Sequence, residues 1–257
     1  MEPSLEVSFT PADFEVLRRR DLSQAVCVVF DILRATTSMT IALANGATAI
    51  YPVTEIAQAV ALKKLHPQAL LAGERHGNRI RADQTGGVDF DLGNSPREFT
   101  AQRVAGKSIV MTTTNGTRAL EACAGARRVL ASSFLGFGAM LKVLRAEPPC
   151  NIIAVCAGTF EEAALEDTLA AGMLCNALWN RFDEEHIVDS ARIARDVYLH
   201  HHKDLFAALG QARNGRRLLA KPELRDDVAF AAQLDSCQIT AELRDGVLHS
   251  VAQDPAR

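Results

Sequence analysis

The sequence predicts an α/β protein: a mainly parallel sheet covered by helices on both faces, with a helical C-terminal part. Three observations carry this. Short β-branched runs alternate with Ala- and Leu-rich stretches over the first two-thirds of the chain, the pattern of strand–helix–strand units. The connections between them are short, which suits a doubly covered sheet. Apolar residues make up 48% of the chain and aromatics only 5%, a composition for a core of Val, Ile, Leu and Ala.

Taken in order, AVCVVF (25–30) is the first clear strand, and SMTIALANG (38–46) the helix after it. Asn45-Gly46 stands where that helix should stop. ATAIYPV (47–53) and QALLAG (68–73) are strands flanking the helix TEIAQAVALKKL (54–65), with Thr54 able to cap it. SPREFTAQRVAG (95–106) reads as a helix capped by Ser95 with Pro96 in its first turn. KSIVMTTT (107–114), RRVLASS (127–133) and NIIAVCAG (151–158) are further strands. Between them lie the helices NGTRALEACAG (115–125), stopped by Gly125, and GAMLKVLRAE (138–147). From about Ala163 the chain reads as mostly helical, with a weaker strand-like element near CQITAEL (237–243). Without repeats, linkers or low-complexity tracts, residues 1–257 are expected to form one domain.

The totals exclude several classes. The 28 basic and 31 acidic residues nearly cancel, so no basic face points to nucleic acid. The apolar runs are broken well below the ~20 residues of a membrane span. MEPSLEVSFT lacks an apolar signal core, so a cytoplasmic protein is expected. Six cysteines are scattered without CxxC pairs, which implies reduced, mostly buried thiols and no zinc site.

In open α/β sheets ligands bind outside the carboxyl ends of the strands, so the strand-end loops hold the candidate chemistry. Asp31 ends an apolar strand, and Arg34, Thr36, Thr37 and Ser38 follow it. A carboxylate there can hold Mg²⁺ or attack a phosphoryl group, although Asp31 and Thr36 could simply cap the helix. Thr112 to Thr117 repeats the design with four threonines besides Asn115 and Gly116 in that run, a plausible oxyanion cradle. The third loop is acidic. Thr159 and Glu162 fit a capping box, which leaves Glu166 and Asp167 as candidate Mg²⁺ ligands beside Asp31; a solvated acidic first turn is the plainer reading. The long segment 74–96 brings Glu74, Arg75, Arg79, Arg81 and Asn94-Ser95, and its guanidinium groups suit phosphate, sulfonate or carboxylate.

Four other patterns mislead. Arg75-His76-Gly77 resembles a histidine-phosphatase triplet, but it follows the third strand of the list above rather than the first. Cys175 and Arg181 have cysteine-phosphatase spacing inside an apolar helix. Asp89 and Asp91 form a DxD without a preceding strand, and His200 to His202 point to different helix faces.

FDILRATTSMTIALANGA, GER before a Gly-rich loop, FDLGNSP, TTTNGTRAL and CAGT…ALEDTLAAG occur in this order between about Val26 and Gly172. Together they resemble the 2-phosphosulfolactate phosphatases, the ComB family. The resemblance implies Mg²⁺-dependent hydrolysis of 2-phospho-3-sulfolactate, a small anionic phosphorylated hydroxy acid, to 3-sulfolactate and phosphate. In methanogens this step belongs to coenzyme M biosynthesis. Carried onto this chain, Asp31 is the first candidate metal ligand, with Glu166 and Asp167 next. Arg34, Thr36, Arg75, Thr113, Thr114, Asn115, Gly116 and Thr117, with Asn94 and Ser95, would form the anion pocket. Glu74 would be a further ligand or the base, and His76 is incidental. Direct attack by water is favoured over an aspartyl phosphate on Asp31. The same chemistry on another small phosphorylated hydroxy acid, or anion binding without turnover, are the alternatives. The sequence leaves the oligomeric state open, with a homodimer, common among α/β enzymes, as the candidate assembly.

Overall fold

The structure is a computed structural model and describes residues 2–251; residues 1 and 252–257 of the domain expected over 1–257 lie outside the described residues. The strands are β1 (Leu5–Ser8), β2 (Ala25–Phe30), β3 (Ala49–Pro52), β4 (Leu70–Arg75), β5 (Asn78–Arg79), β6 (Ser108–Thr112), β7 (Arg128–Ser132), β8 (Asn151–Cys156), β9 (Thr240–Arg244) and β10 (Val247–Val251). In the first two-thirds run helices α1 (Asp13–Arg19), α2 (Ala35–Ala44), α3 (Ile56–Leu65), α4 (Ala82–Thr85), α5 (Ala101–Val104), α6 (Gly116–Ala122) and α7 (Phe137–Ala146). The later helices are α8 (Leu165–Leu178), α9 (Asp189–His201), α10 (Leu205–Gln211), α11 (Arg213–Leu219) and α12 (Asp226–Ala231). Among the described residues no helix is long and apolar enough to cross a membrane.

All ten strands join one sheet in the order β1-β8-β2-β7-β9-β10-β3-β6-β4-β5. Pairings β1–β8, β8–β2, β2–β7, β3–β6 and β6–β4 are parallel, so the α/β expectation holds. Successive residues of a strand point to opposite faces, and both faces are covered. Val26, Val28 and Phe30 of β2 enter a core with α8 and α9, whereas Cys27 and Val29 enter a second core with α1, α2 and α6. That second core also takes Ala72 of β4 and Met111 of β6. The sheet therefore wraps around it, and strands distant in the sheet order deliver their ends to one place.

Three elements differ from the sequence expectation. The C-terminal part is helical only to Ala231; the strand-like element expected near 237–243 is β9, and with β10, which was not expected, it forms an antiparallel hairpin inserted between β7 and β3, joining the two parallel halves of the sheet. The turn is Asp245-Gly246, with φ of 50° and 78°, the left-handed pair that a two-residue hairpin turn needs. LEVS near the N-terminus is an edge strand paired with β8. The stretch 95–106 is not one helix but a 3₁₀ turn at Pro96–Glu98 followed by α5, with Phe99 buried between them.

Candidate active site

The carboxyl ends of β2, β4, β6 and β8 open into one cleft with a cavity of about 100 Å³, the size for a small solute and not a polymer. From the turn after β2 come Asp31 and Arg34, from the end of β4 Glu74, and from the turn before α6 Thr114 and Asn115. Asn94 closes one side, and Gly158, Thr159 and Phe160 after β8 another. Across the opening stands α11, with Asn214, Arg217 and Leu218, followed by Lys221.

The turn after β2 is built from local bonds. Asp31 Oδ1 accepts the Ala35 amide at 3.0 Å, and the Asp31 amide donates to Thr36 Oγ1 at 2.9 Å. Gly116 lies directly over this carboxylate: a Cβ there would sit 2.6 Å from Asp31 Oδ2 and 2.7 Å from Ala35 Cβ. Only glycine lets α6 begin so close to the acid. Arg34 is held in a buried ion pair with Asp227 of α12, Nη1 to Oδ2 at 2.9 Å, and donates to Gly77 O at 3.0 Å. Asp227 also accepts from Ser95 Oγ at 2.7 Å. Glu74 Oε1 accepts from both the amide and the hydroxyl of Thr114, and Oε2 accepts the Gly77 amide at 2.6 Å.

The acid groups are crowded. Burial, and then the carboxylates of Glu74 and Glu166, push the Asp31 carboxyl up to about 7. Burial also raises Glu166, and it raises Asp167 well above the carboxylate range with help from Glu166 and Asp31. Asn214 donates to Glu166 Oε1 at 2.8 Å, but the buried Oε2 has no hydrogen-bond partner. The buried Oδ1 atoms of Asn94 and Asn115 lack donors too. Among the described residues no group of three or more His, Cys, Asp or Glu is arranged to hold a metal. Mg²⁺ asks for less, one or two carboxylates with retained waters and oxygen donors only. Asp31 and Glu166, crowded acids beside donor-less oxygens, fit that requirement.

The sequence model of 2-phosphosulpholactate phosphatase matches residues 13–246. The chain belongs to that family. It is 33% identical over 239 residues, 92% of this chain and 95% of the other, to a protein of Caldanaerobacter subterraneus subsp. tengcongensis named "Probable 2-phosphosulfolactate phosphatase". Proteins of the same name from Symbiobacterium thermophilum and Thermotoga petrophila are 35% and 39% identical, over 88% and 66% of this chain and 94% and 68% of theirs.

In this 2-phosphosulpholactate phosphatase family member, the cleft brings together six of the residues expected from sequence: Asp31, Arg34, Glu74, Asn94, Thr114 and Asn115. Three more reach it at second hand, Glu166 through Asn214, Ser95 through Asp227, and Gly116 beneath Asp31. The others lie elsewhere. Thr36 binds the Asp31 amide, and Thr113 and Thr117 bind each other across the first turn of α6. Asp167 clamps the Ile32 and Gly158 amides at 2.8 and 3.0 Å, tying the ends of β2 and β8 together. Both its oxygens are thereby engaged, so Glu166 is the better-placed ligand of the pair.

Arg75 corrects an expectation. Its guanidinium turns from the cleft to Thr54 O, Glu74 O and Thr112 Oγ1, all within 2.9 Å, while His76, read as incidental, lines the cavity. Thr159 and Glu162 do not form a capping box; their backbones bridge each other, and Ala164 is the N-cap of α8. Sequence reading missed Asp227, Asn214, Arg217 and Lys221. Asn214, Arg217 and Leu218 recur at three- and four-residue spacing on one face of α11, and Lys221 follows its end at the same spacing, which was the available signal.

Proposed function

We propose that this chain hydrolyses the phosphomonoester of 2-phospho-3-sulfolactate to 3-sulfolactate and phosphate. The carrying observation is the single cleft that sets the acids Asp31 and Glu74 beside the guanidinium of Arg34, with Glu166 joined to it through Asn214. Acids alone would repel a phosphate, and cations alone would bind it without turnover.

Asp31 and Glu166 would hold Mg²⁺, which supplies charge neutralisation at the phosphoryl oxygens. Arg34, fixed by Asp227 and Gly77 O, offers its remaining N–H groups to the same oxygens without reorganising. Water adds to phosphorus in line, the bond from phosphorus to the C2 oxygen breaks, and the leaving alkoxide takes a proton from solvent to become the hydroxyl of 3-sulfolactate. Glu74, oriented by Thr114 and Gly77, takes the proton from the attacking water. Asp31 acts as a ligand rather than a nucleophile.

The test is phosphate release from synthetic 2-phosphosulfolactate. With Mg²⁺ the protein releases phosphate, EDTA abolishes release, and Asp31→Asn lowers kcat by at least about 100-fold. No release from this or any phosphorylated hydroxy acid refutes the reading. Transfer of ¹⁸O from labelled water into Asp31 during one turnover refutes direct attack.

A further inference from the structure

Two cations of the cleft have no acidic partner among the described residues. Arg217 lies on the Phe160 ring at 5.6 Å, and Lys221 reaches only the neutral Asn78 Oδ1 at 3.2 Å. The contrast with Arg34 is sharp, since Asp227 neutralises that guanidinium in a buried pair. Neighbouring cations show what pairing looks like on this surface: Arg213, on the same helix, binds Glu162 at 2.6 Å. Arg217 is exposed and Lys221 half-buried. Both sit beside exposed groups, Phe160 and Asn78, and so at the rim, whereas Asp31 and Asn115 line the floor.

We infer that Arg217 and Lys221 form a second anion subsite that selects substrates by the sulfonate or carboxylate at their non-phosphoryl end. The inference rests on the phosphatase reading for the word substrate, but not for the binding itself. The geometry supports it in three ways. A phosphoryl group must lie near Asp31 on the floor to react, so cations on the rim face the other end of the molecule. Two unneutralised cations four residues apart, one on the last turn of α11 and one just past its end, match a non-reacting oxyanion, and a guanidinium beside an ammonium binds sulfonate and carboxylate alike. The Phe160 ring packs against the Arg217 guanidinium and holds it without consuming its N–H groups. Arg217 and Lys221 are binding residues that raise selectivity; the bond-breaking step stays with the floor.

Calorimetric titration of the intact protein with 3-sulfolactate isolates the subsite, because that molecule has no phosphoryl group. Lactate keeps its carboxylate alone and isethionate its sulfonate alone, so the pair assigns which oxyanion the subsite takes. Arg217→Ala/Lys221→Ala should weaken 3-sulfolactate at least about ten-fold and inorganic phosphate less than two-fold. Arg217→Glu should weaken 3-sulfolactate further. Both positions are outside the core, and thermal melts of the variants should match the parent. In turnover, kcat/KM on 2-phosphosulfolactate should fall at least about ten-fold while that on isopropyl phosphate stays within two-fold. Unchanged 3-sulfolactate binding overturns the inference, as does an equal loss for inorganic phosphate or isopropyl phosphate. A protein that binds 3-sulfolactate through these residues but hydrolyses nothing keeps the subsite and loses the proposed function.

Discussion

Asp31→Asn is the perturbation whose outcome follows most directly from the geometry. In the folded chain the Asp31 carboxyl is pushed from 3.8 to about 7 by burial and by Glu74 and Glu166. Its pKa is raised, so the folded protein holds a proton that the unfolded chain has released. The penalty is absent below about pH 4, grows between about pH 4 and 7, and is complete above it. Fully expressed, the shift corresponds to about 4 kcal/mol. Asp31 is half-buried, and screening by water leaves about 1–3 kcal/mol. Asparagine keeps an oxygen for the Ala35 amide and places an amide N–H₂ towards the acids, so it removes the penalty without removing the turn. In EDTA at pH 8 the variant should melt about 2–10 °C above the parent, and at pH 4.5 the gap should narrow. Mg²⁺ should stabilise the parent at pH 8 and the variant far less. Differential scanning calorimetry across pH, with and without Mg²⁺, reads all three. A variant less stable than the parent at pH 8, or a gap that ignores pH, refutes the account of a crowded, cation-seeking acid.

Three other outcomes follow. Gly116→Ala sets a methyl group against Asp31 Oδ2 and Ala35; kcat should fall at least about ten-fold at a cost of about 1–3 kcal/mol in stability, measured by steady-state kinetics and urea titration. Asp227→Ala strands the buried Arg34 and the Ser95 hydroxyl, and urea titration should show a loss of about 3–5 kcal/mol. Arg75→Ala removes donors to Thr54 O and Thr112 Oγ1; it should cost about 1–3 kcal/mol while kcat changes less than five-fold, and a selective loss of kcat would return Arg75 to the cleft.

The parallel strands were legible because a strand buried on both faces writes itself as a continuous apolar run, as AVCVVF and NIIAVCAG do. The hairpin was less legible for the same reason. β9 and β10, as TAELR and VLHSV, carry charged or polar residues among their apolar ones, so the first gave only a weak strand signal and the second none. Asp245-Gly246 was the overlooked mark. LEVS is short and sits at the sheet edge, where one neighbour suffices and no long apolar run is demanded.

The site divides along a similar line. Strand-to-helix turns are local objects, so Asp31, Arg34, Thr114 and Asn115 could be found from the few residues around each. Which hydroxyl faces the cleft could not, because Thr112 to Thr117 spans a bend that ends the strand alternation. Thr112 turns to Thr54 and Arg75, Thr113 and Thr117 to each other, and Thr114 to Glu74. Contacts made across the chain were invisible in principle: Asp227 meets Arg34 at a separation of 193 residues, and Asn214 meets Glu166 at 48. These distant residues complete the cleft's charge balance. Asp227 neutralises the arginine that lies deepest, which leaves Arg217 and Lys221 without an acidic partner among the described residues, at the rim opposite the acids. A cleft arranged in this way binds a molecule by its spectator anion and presents the other end to the carboxylates. Selectivity and turnover then reside on different parts of the chain, the C-terminal helices and the strand-end turns, and substitutions in one should leave the other measurable.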